Sequence, residues 1–142
     1  MRSTYTQLYV HLIWGTWDRL PLITAEIEPQ LFAAIMEKCK ELSCEPLAIG
    51  GIGDHVHLLV RLHPTVAVAE LVKGVKGSSS HFVTHEVMPD QFFKWQGSYS
   101  AYTLRKSEVP HLTAYIQDQK KHHQQATIIP EWEASMSDDE TE

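Results

Sequence analysis

The 142-residue chain is long enough for one domain with a buried core, and 43% hydrophobic with 21% charged residues is an ordinary globular composition. No run approaches the length of a membrane span, and the N-terminus lacks the apolar stretch and cleavage pattern of a signal peptide. The net charge of −6 argues against a globally basic nucleic-acid binder, but the charge is uneven. Residues 131–142 hold six of the eighteen acids and no base, so the rest carries twelve acids against twelve bases and is neutral. The expectation is a domain over residues 1–130 followed by an acidic, disordered tail over 131–142. Cys39 and Cys44 lack C-x-x-C spacing, and a helix would put them on different faces. They are expected as free thiols in a reducing cytoplasm.

Tyr5 to Trp14 alternates as a strand, with Leu8, Val10, Leu12 and Trp14 on one face and Tyr5, Gln7, Tyr9, His11 and Ile13 on the other. After a polar link through Asp18-Arg19-Leu20-Pro21, apolar residues recur at helical spacing from Glu26 to Ser43, and Pro29 falls in the first turn, where it is tolerated. Leu47 to Ile52 reads as a short strand, and Gly53-Asp54 as a tight turn into an antiparallel partner. A second helix is predicted from Pro64 to Val87, striped by Val68, Leu71, Val72, Val75, Ser79, Phe82 and Val83. Phe92 to Trp95 and Ser98 to Leu104 read as a fourth strand interrupted at Gly97, and a last helix runs from Glu108 to Gln125. This order predicts an α+β, ferredoxin-like (split β-α-β) domain. It has a four-stranded antiparallel sheet, two helices on one face and an added C-terminal helix. That architecture hosts many functions, so the chemistry has to be read from its residues.

The strand after the turn is His55-Val56-His57-Leu58-Leu59-Val60-Arg61-Leu62. Alternation puts Val56, Leu58, Val60 and Leu62 on a buried face and both histidines on the other, about 7 Å apart along the chain. Two imidazoles side by side are a common start of a divalent metal site, and a half-exposed strand that happens to carry histidine is the plain alternative. The last helix contains Tyr115-Ile116-Gln117-Asp118-Gln119, and spacing of four puts Tyr115 and Gln119 on one face. An amide oxygen can complete a hard-cation site begun by two imidazoles. A packed tyrosine and a solvated glutamine would give the same spacing.

Three stretches carry a resemblance: Gly53-Asp54-His55-Val56-His57-Leu58-Leu59-Val60, Trp95-Gln96-Gly97-Ser98-Tyr99-Ser100-Ala101-Tyr102 and Tyr115-Ile116-Gln117-Asp118-Gln119-Lys120-Lys121-His122-His123. With Tyr9 to Trp14 and Leu71 to Ser80, they make the chain resemble the single-tyrosine HUH transposases over about Tyr5 to Gln125. These are the small insertion-sequence and REP-associated tyrosine transposases. The resemblance implies a nuclease and strand transferase acting on single-stranded DNA beside a hairpin, and a homodimer. His55, His57 and Gln119 would be the metal ligands, for Mg²⁺ or Mn²⁺, and Tyr115 the nucleophile. No nucleotide cofactor is expected, in keeping with the lack of a Walker-type glycine loop.

Lys73, Lys76, Arg105, Lys106, Lys120 and Lys121 are the candidate DNA-contacting residues in this neutral body. Tyr99 and Tyr102 compete as nucleophiles, His122 competes with Gln119 as third ligand, and His11 could face the histidine strand. His63, His81, His85 and His123 read as ordinary surface or sheet histidines. Two other classes stay open: a non-catalytic nucleic-acid-binding module, and a small metal-dependent hydrolase that adds a carboxylate such as Asp54 to the two histidines.

Overall fold

The computed structural model describes residues 4–133. Its four strands are β1 (Tyr9–Gly15), β2 (Glu45–Ile52), β3 (His55–Arg61) and β4 (Ser100–Leu104). They form one sheet in the order β2-β3-β1-β4 with every neighbouring pair antiparallel. The long helices are α1 (Glu28–Glu41) and α2 (Val68–Phe82), followed by α3 (Val109–Gln117) and α4 (Gln119–Gln124). The expected α+β, ferredoxin-like arrangement is what forms. No helix of the described residues is long and apolar enough to cross a membrane.

Alternation divides the sheet into two faces. Val10, Leu12 and Trp14 of β1 and Val56, Leu58 and Val60 of β3 are buried with Leu31 and Ile35 of α1 and Leu71 and Val75 of α2 in the main core. On the opposite face, Leu59 and Ala48 pack with Leu112, Tyr115 and Ile116 of α3 in a smaller cluster. Burial of a Leu or Ile side chain stabilises by roughly 1.5–3 kcal/mol, so Leu112 and Ile116, with Tyr115 beside them, suffice to seat a nine-residue helix. The seat is unusually close at Gly50, where an added Cβ would lie 2.0 Å from the Ile116 carbonyl oxygen. Only glycine allows the end of α3 to approach β2 this nearly.

Several boundaries differ from the pattern. β1 begins at Tyr9: Tyr5 is 76% exposed, and the chain before the strand is tied to the end of β3 by Leu62 N–H donating to the Leu8 carbonyl at 2.7 Å and by the Arg61 guanidinium donating to the Thr6 carbonyl at 2.6 Å. The second helix begins at Val68, after a turn closed by Val66 N–H on the His63 carbonyl, and ends in a π-helical turn over Val83–Val87. Phe93 and Trp95 are drawn into the main core, where Trp95 meets Trp14 edge-on at 5.8 Å and donates its indole N–H to Ser79 Oγ at 3.0 Å. That pull leaves a single bridge, Thr16 to Trp95, in place of a strand segment.

Cys44 lies beyond the end of α1, and both free thiols are buried in the main core instead of on separate helix faces. The last helix is not continuous: Asp118 (φ −102°, ψ 24°) separates α3 from α4. Residues 131–133, assigned by composition to the tail, finish a short turn over Pro130–Trp132 that packs on the domain. The rest of that expectation, residues 134–142, lies outside the described residues.

Candidate active site

The apolar-poor face of β3 delivers the two histidines. His55 and His57 are 2% and 0% exposed, with ring centroids 5.0 Å apart. Each has its Nδ1 engaged from behind. His55 Nδ1 is 2.8 Å from Asp54 Oδ1, and His57 Nδ1 is 2.9 Å from Nε2 of His11 on the adjacent strand. Both Nε2 atoms therefore face the same point above the sheet. A carboxylate behind a metal-binding histidine is the usual way to fix its tautomer and ring plane. Asp54 stands in that position behind His55, on the far side from the Nε2 atoms, and so does not join them as a third ligand.

Tyr115 and Gln119 arrive above that point despite the break at Asp118. Tyr115 is 2% exposed and Gln119 is 1% exposed. Gln119 Oε1 lies 3.3 Å from His55 Nε2. His123, four residues further on, stacks its ring edge-on to His55 at 5.0 Å and reaches Gln119 Oε1 at 3.1 Å. His122 turns elsewhere: its Nδ1 meets Thr127 Oγ1 at 2.9 Å and its ring packs at 4.6 Å from Tyr115. Tyr102 faces His11 at 6.4 Å, and Tyr99 packs against the main core.

Glu133 closes the site. Its Oε1 is 3.0 Å from His57 Nε2, 3.3 Å from His55 Nε2 and 3.4 Å from His123 Nε2. Its Oε2 accepts the Tyr115 hydroxyl and, at 3.1 Å, the Gln119 amide N–H. His55, His57 and Glu133 offer three ligand atoms within 4.8 Å of one another, a group able to hold a metal ion. The chain reaches this position through a reversal at Ala126 (φ 54°), after which Thr127 N–H donates to the His122 carbonyl and Ile129 N–H donates to Tyr115 Oη at 3.0 Å. Trp132 then packs on Tyr115 and His111, with ring centroids 5.1 Å from each.

The titration of these groups follows from their neighbours. Burial penalises the Glu133 carboxylate, but hydrogen bonds from His55 and His57 outweigh it and hold its pKa well below the carboxylate range. Burial also opposes protonation of His55, yet Asp54 and Glu133 overcome it and raise its pKa. His57 is lowered, because burial there exceeds the pull of Glu133. His11 is pushed down to about 3 by burial and by the neighbouring His57, so it stays neutral. The Tyr115 hydroxyl is pushed up to about 12 by burial and by its bond to Glu133.

Of the residues singled out from sequence, His55, His57, Gln119 and Tyr115 come together. The basic candidates do not form one surface. Lys73 is exposed on α2, on the other side of the sheet from α4, which carries Lys120 and Lys121. Lys76 is used internally, donating to the carbonyls of Gln96 at 2.6 Å and Ser98 at 3.2 Å, and Lys120 pairs with Glu28 at 2.6 Å. Arg105 and Lys106 are exposed after β4.

The pattern reading missed Glu133 and His123. For His123 the signal was present as the repeated spacing of four through Tyr115, Gln119 and His123. For Glu133 it was the apolar group Ile128, Ile129 and Trp132 at the edge of a stretch otherwise read as solvated.

The chain is similar to known proteins in sequence and in fold. The sequence profile of the family described as "Transposase IS200 like" matches residues 4–119. The ISDra2 transposase TnpA of Deinococcus radiodurans is 27% identical over 123 residues, covering 83% of this chain and 88% of that protein. A 1.90 Å crystal structure of a Deinococcus radiodurans protein assigned as a transposase superposes with a TM-score of 0.65 at 26% identity, covering 84% of this chain and 95% of that one. A REP-associated tyrosine transposase, solved bound to a REP hairpin, shares the fold with a TM-score of 0.63 at 14% identity, covering 90% of this chain and 74% of that one. With its profile match spanning most of its length, the chain belongs to the IS200-like transposase family.

Proposed function

We propose that this protein cleaves and rejoins single-stranded DNA through a covalent bond to Tyr115. One observation carries the reading: the Tyr115 hydroxyl and the Nε2 atoms of His55 and His57 converge on a single carboxylate, that of Glu133. A scissile phosphate needs the same relation to those three groups, as an anion in front of the imidazoles and within reach of the hydroxyl.

The donor set fits a divalent cation. The Nδ1 atoms of both histidines are engaged behind them, their Nε2 atoms point forward, and Gln119 and Glu133 add oxygens. His55, His57 and Gln119 would hold Mg²⁺ or Mn²⁺, with Glu133 beside them while DNA is absent. Bound there, such an ion polarises the phosphate and stabilises charge on its oxygens.

Tyr115 Oη forms the new bond to phosphorus, the P–O3′ bond breaks, and the phenolic proton ends on the released 3′-OH. The DNA 5′ side stays on the protein as a phosphotyrosine ester. Because that ester keeps the phosphodiester energy, a 3′-OH can attack it and rejoin strands without ATP. Glu133 has to leave Tyr115 first, since the hydroxyl is committed to it in the resting chain.

The same reading takes a hairpin-bearing strand as substrate, with Lys73, Lys76, Arg105, Lys106, Lys120 and Lys121 as candidate backbone contacts. It takes residues 1–130 as the catalytic domain, with an acidic tail over 131–142 whose first residues reach the site, and a homodimer as the assembly. The structure supplies no physical need for the dimer, because the apolar edge of α3 is covered by its own sheet.

The test is an SDS-resistant protein–DNA adduct formed with Mn²⁺ and hairpin-bearing single strands taken from the flanks of the gene. Tyr115→Phe should bind that DNA without reacting, whereas Tyr99→Phe and Tyr102→Phe should still react. An adduct that persists in Tyr115→Phe removes the assignment. Absence of any adduct with the folded parent would favour a non-catalytic binding module.

A further inference from the structure

The connection leaving β1 runs along the rim of the site, because Gly15, the last residue of β1, is the register partner of His55. Thr16, wholly buried, fixes the turn: its N–H donates to the Asp54 carbonyl at 2.9 Å and its hydroxyl to the Leu20 carbonyl at 2.5 Å. Inside that turn Asp18 and Arg19 both have φ of 53°, the left-handed region that L side chains seldom adopt. Strained backbone of this kind persists where the surroundings over-determine it, and it clusters at binding sites.

Its consequence here is a placement. The Arg19 side chain folds back across Gly15, where an added Cβ would lie 3.1 Å from Arg19 Cδ and Nη1 and 2.2 Å from Gln96 Oε1. The guanidinium then stands 3.4 Å from His55 Nδ1 and 3.6 Å from Asp54 Oδ1, on a side chain still 47% exposed.

Two more side chains continue the rim. The Trp17 N–H donates to the Lys94 carbonyl at 2.9 Å, locking the turn to the segment before Gly97. Lys94 Nζ sits 4.1 Å from the centroid of the Trp17 ring, and Trp17 remains 40% exposed. Arg19 thus stands on the Nδ1 side of His55, and Trp17, on the same turn, carries the Lys94 ammonium over its ring. The neutral body makes such local cations the more telling, since phosphate contacts dominate DNA affinity.

We propose that Trp17, Arg19 and Lys94 form a subsite for an unpaired nucleotide of the DNA strand, next to the phosphate held at His55 and His57. The base stacks on Trp17, and the flanking phosphates are met by Arg19 and Lys94. Stacking on an aromatic side chain with cations alongside is how single strands are held without dependence on base identity. The proposal rests on the DNA-processing reading of the His55–His57 site and adds to it a place for the strand.

The test uses the full chain without divalent metal and a labelled oligothymidylate of about twelve nucleotides, followed by fluorescence anisotropy. Trp17→Ala should weaken binding about tenfold, and Trp17→Phe should restore most of the loss. Arg19→Ala and Lys94→Ala should each reduce the slope of log affinity against log salt by about 0.7. A blunt duplex of the same length should not respond to Trp17→Ala.

Parent-like affinity in Trp17→Ala, an equal loss on duplex and single strand, or a parent that does not bind oligothymidylate would each overturn the subsite. The two readings fail separately. A Tyr115-dependent adduct with oligothymidylate binding indifferent to all three changes removes the subsite alone. Binding losses as stated, with no adduct from any flanking DNA, remove the reaction alone.

Discussion

The Tyr115 hydroxyl donates to the Glu133 carboxylate, whose other oxygen is 3.0 Å from His57 Nε2. On the proposed reading, the hydroxyl that attacks the phosphate is thereby tied to an acid standing where that phosphate would lie. Segment 125–133 holds that acid in place through the Ile129 N–H bond to Tyr115 Oη and the packing of Trp132 on the Tyr115 ring.

Removing the acid should therefore release the nucleophile. A hydrogen bond to a charged group contributes about 1.5–3 kcal/mol net, and partial exposure of Glu133 favours the lower end. Glu133→Ala is expected to form the DNA adduct about tenfold faster at saturating Mn²⁺, and to return the Tyr115 pKa from about 12 toward its ordinary value of 10. An unchanged or slower rate, with calorimetry showing Mn²⁺ still bound, would mean that Glu133 assists the reaction.

A change in the opposite direction is available at Ala126. Its φ of 54° costs an L residue about 1 kcal/mol, which glycine does not pay. Ala126→Gly should stabilise the reversal that brings Glu133 over the site and slow adduct formation by up to fivefold, without altering the contacts themselves. The added freedom of glycine in the unfolded chain offsets part of this gain, so a small effect is acceptable and an acceleration is not.

Glu133 and Arg19 take positions that the sequence pattern does not reveal, unlike the histidine pair. Alternation sufficed for His55 and His57 because a strand's period of two admits one face assignment once Val56, Leu58 and Val60 are buried. Helical spacing brought Tyr115 and Gln119 to one side even though Asp118 interrupts the helix, since a break after one residue leaves α4 seated on β2. Glu133 was not legible, because acidic composition reads as solvation and says nothing about an acid whose partners are histidines about 76 residues away. Arg19 was equally hidden, since its position depends on a backbone conformation that its residue type disfavours.

The grip of Glu133 should depend on pH in a definite direction. Its own pKa is depressed, so its contribution is present above the unfolded value of 4.5 and is lost as pH falls through the far lower folded value. His55 is raised, so its contribution is complete below 6.5 and is lost as pH rises through the raised value. Through His55 the segment is held most firmly between 4.5 and 6.5 and loosens above that window, while the lowered His57 opposes the hold as pH falls below 6.5. NMR cross-peaks between Trp132 and Tyr115 should weaken as pH rises past neutrality in the metal-free protein, and cross-peaks that stay constant into the alkaline range would contradict the coupling.

Tyr115, His55, His57 and Gln119 come together within one chain, so on the proposed reading one chain holds all four groups. Mixing Tyr115→Phe with a His55→Ala, His57→Ala chain tests this directly. One mutant lacks the nucleophile and the other lacks the imidazoles, so neither can react alone. Tyr115 is held within its own domain by burial alongside Leu112 and Ile116, against Leu59 and Ala48. For a partner chain to supply it, the whole of α3 would have to detach, which uncovers two anchors worth roughly 1.5–3 kcal/mol each. The mixture is therefore expected to give no adduct above the sum of the two inactive proteins. Recovery of adduct on mixing would show that α3 leaves its own sheet and that the resting arrangement differs from the reacting one.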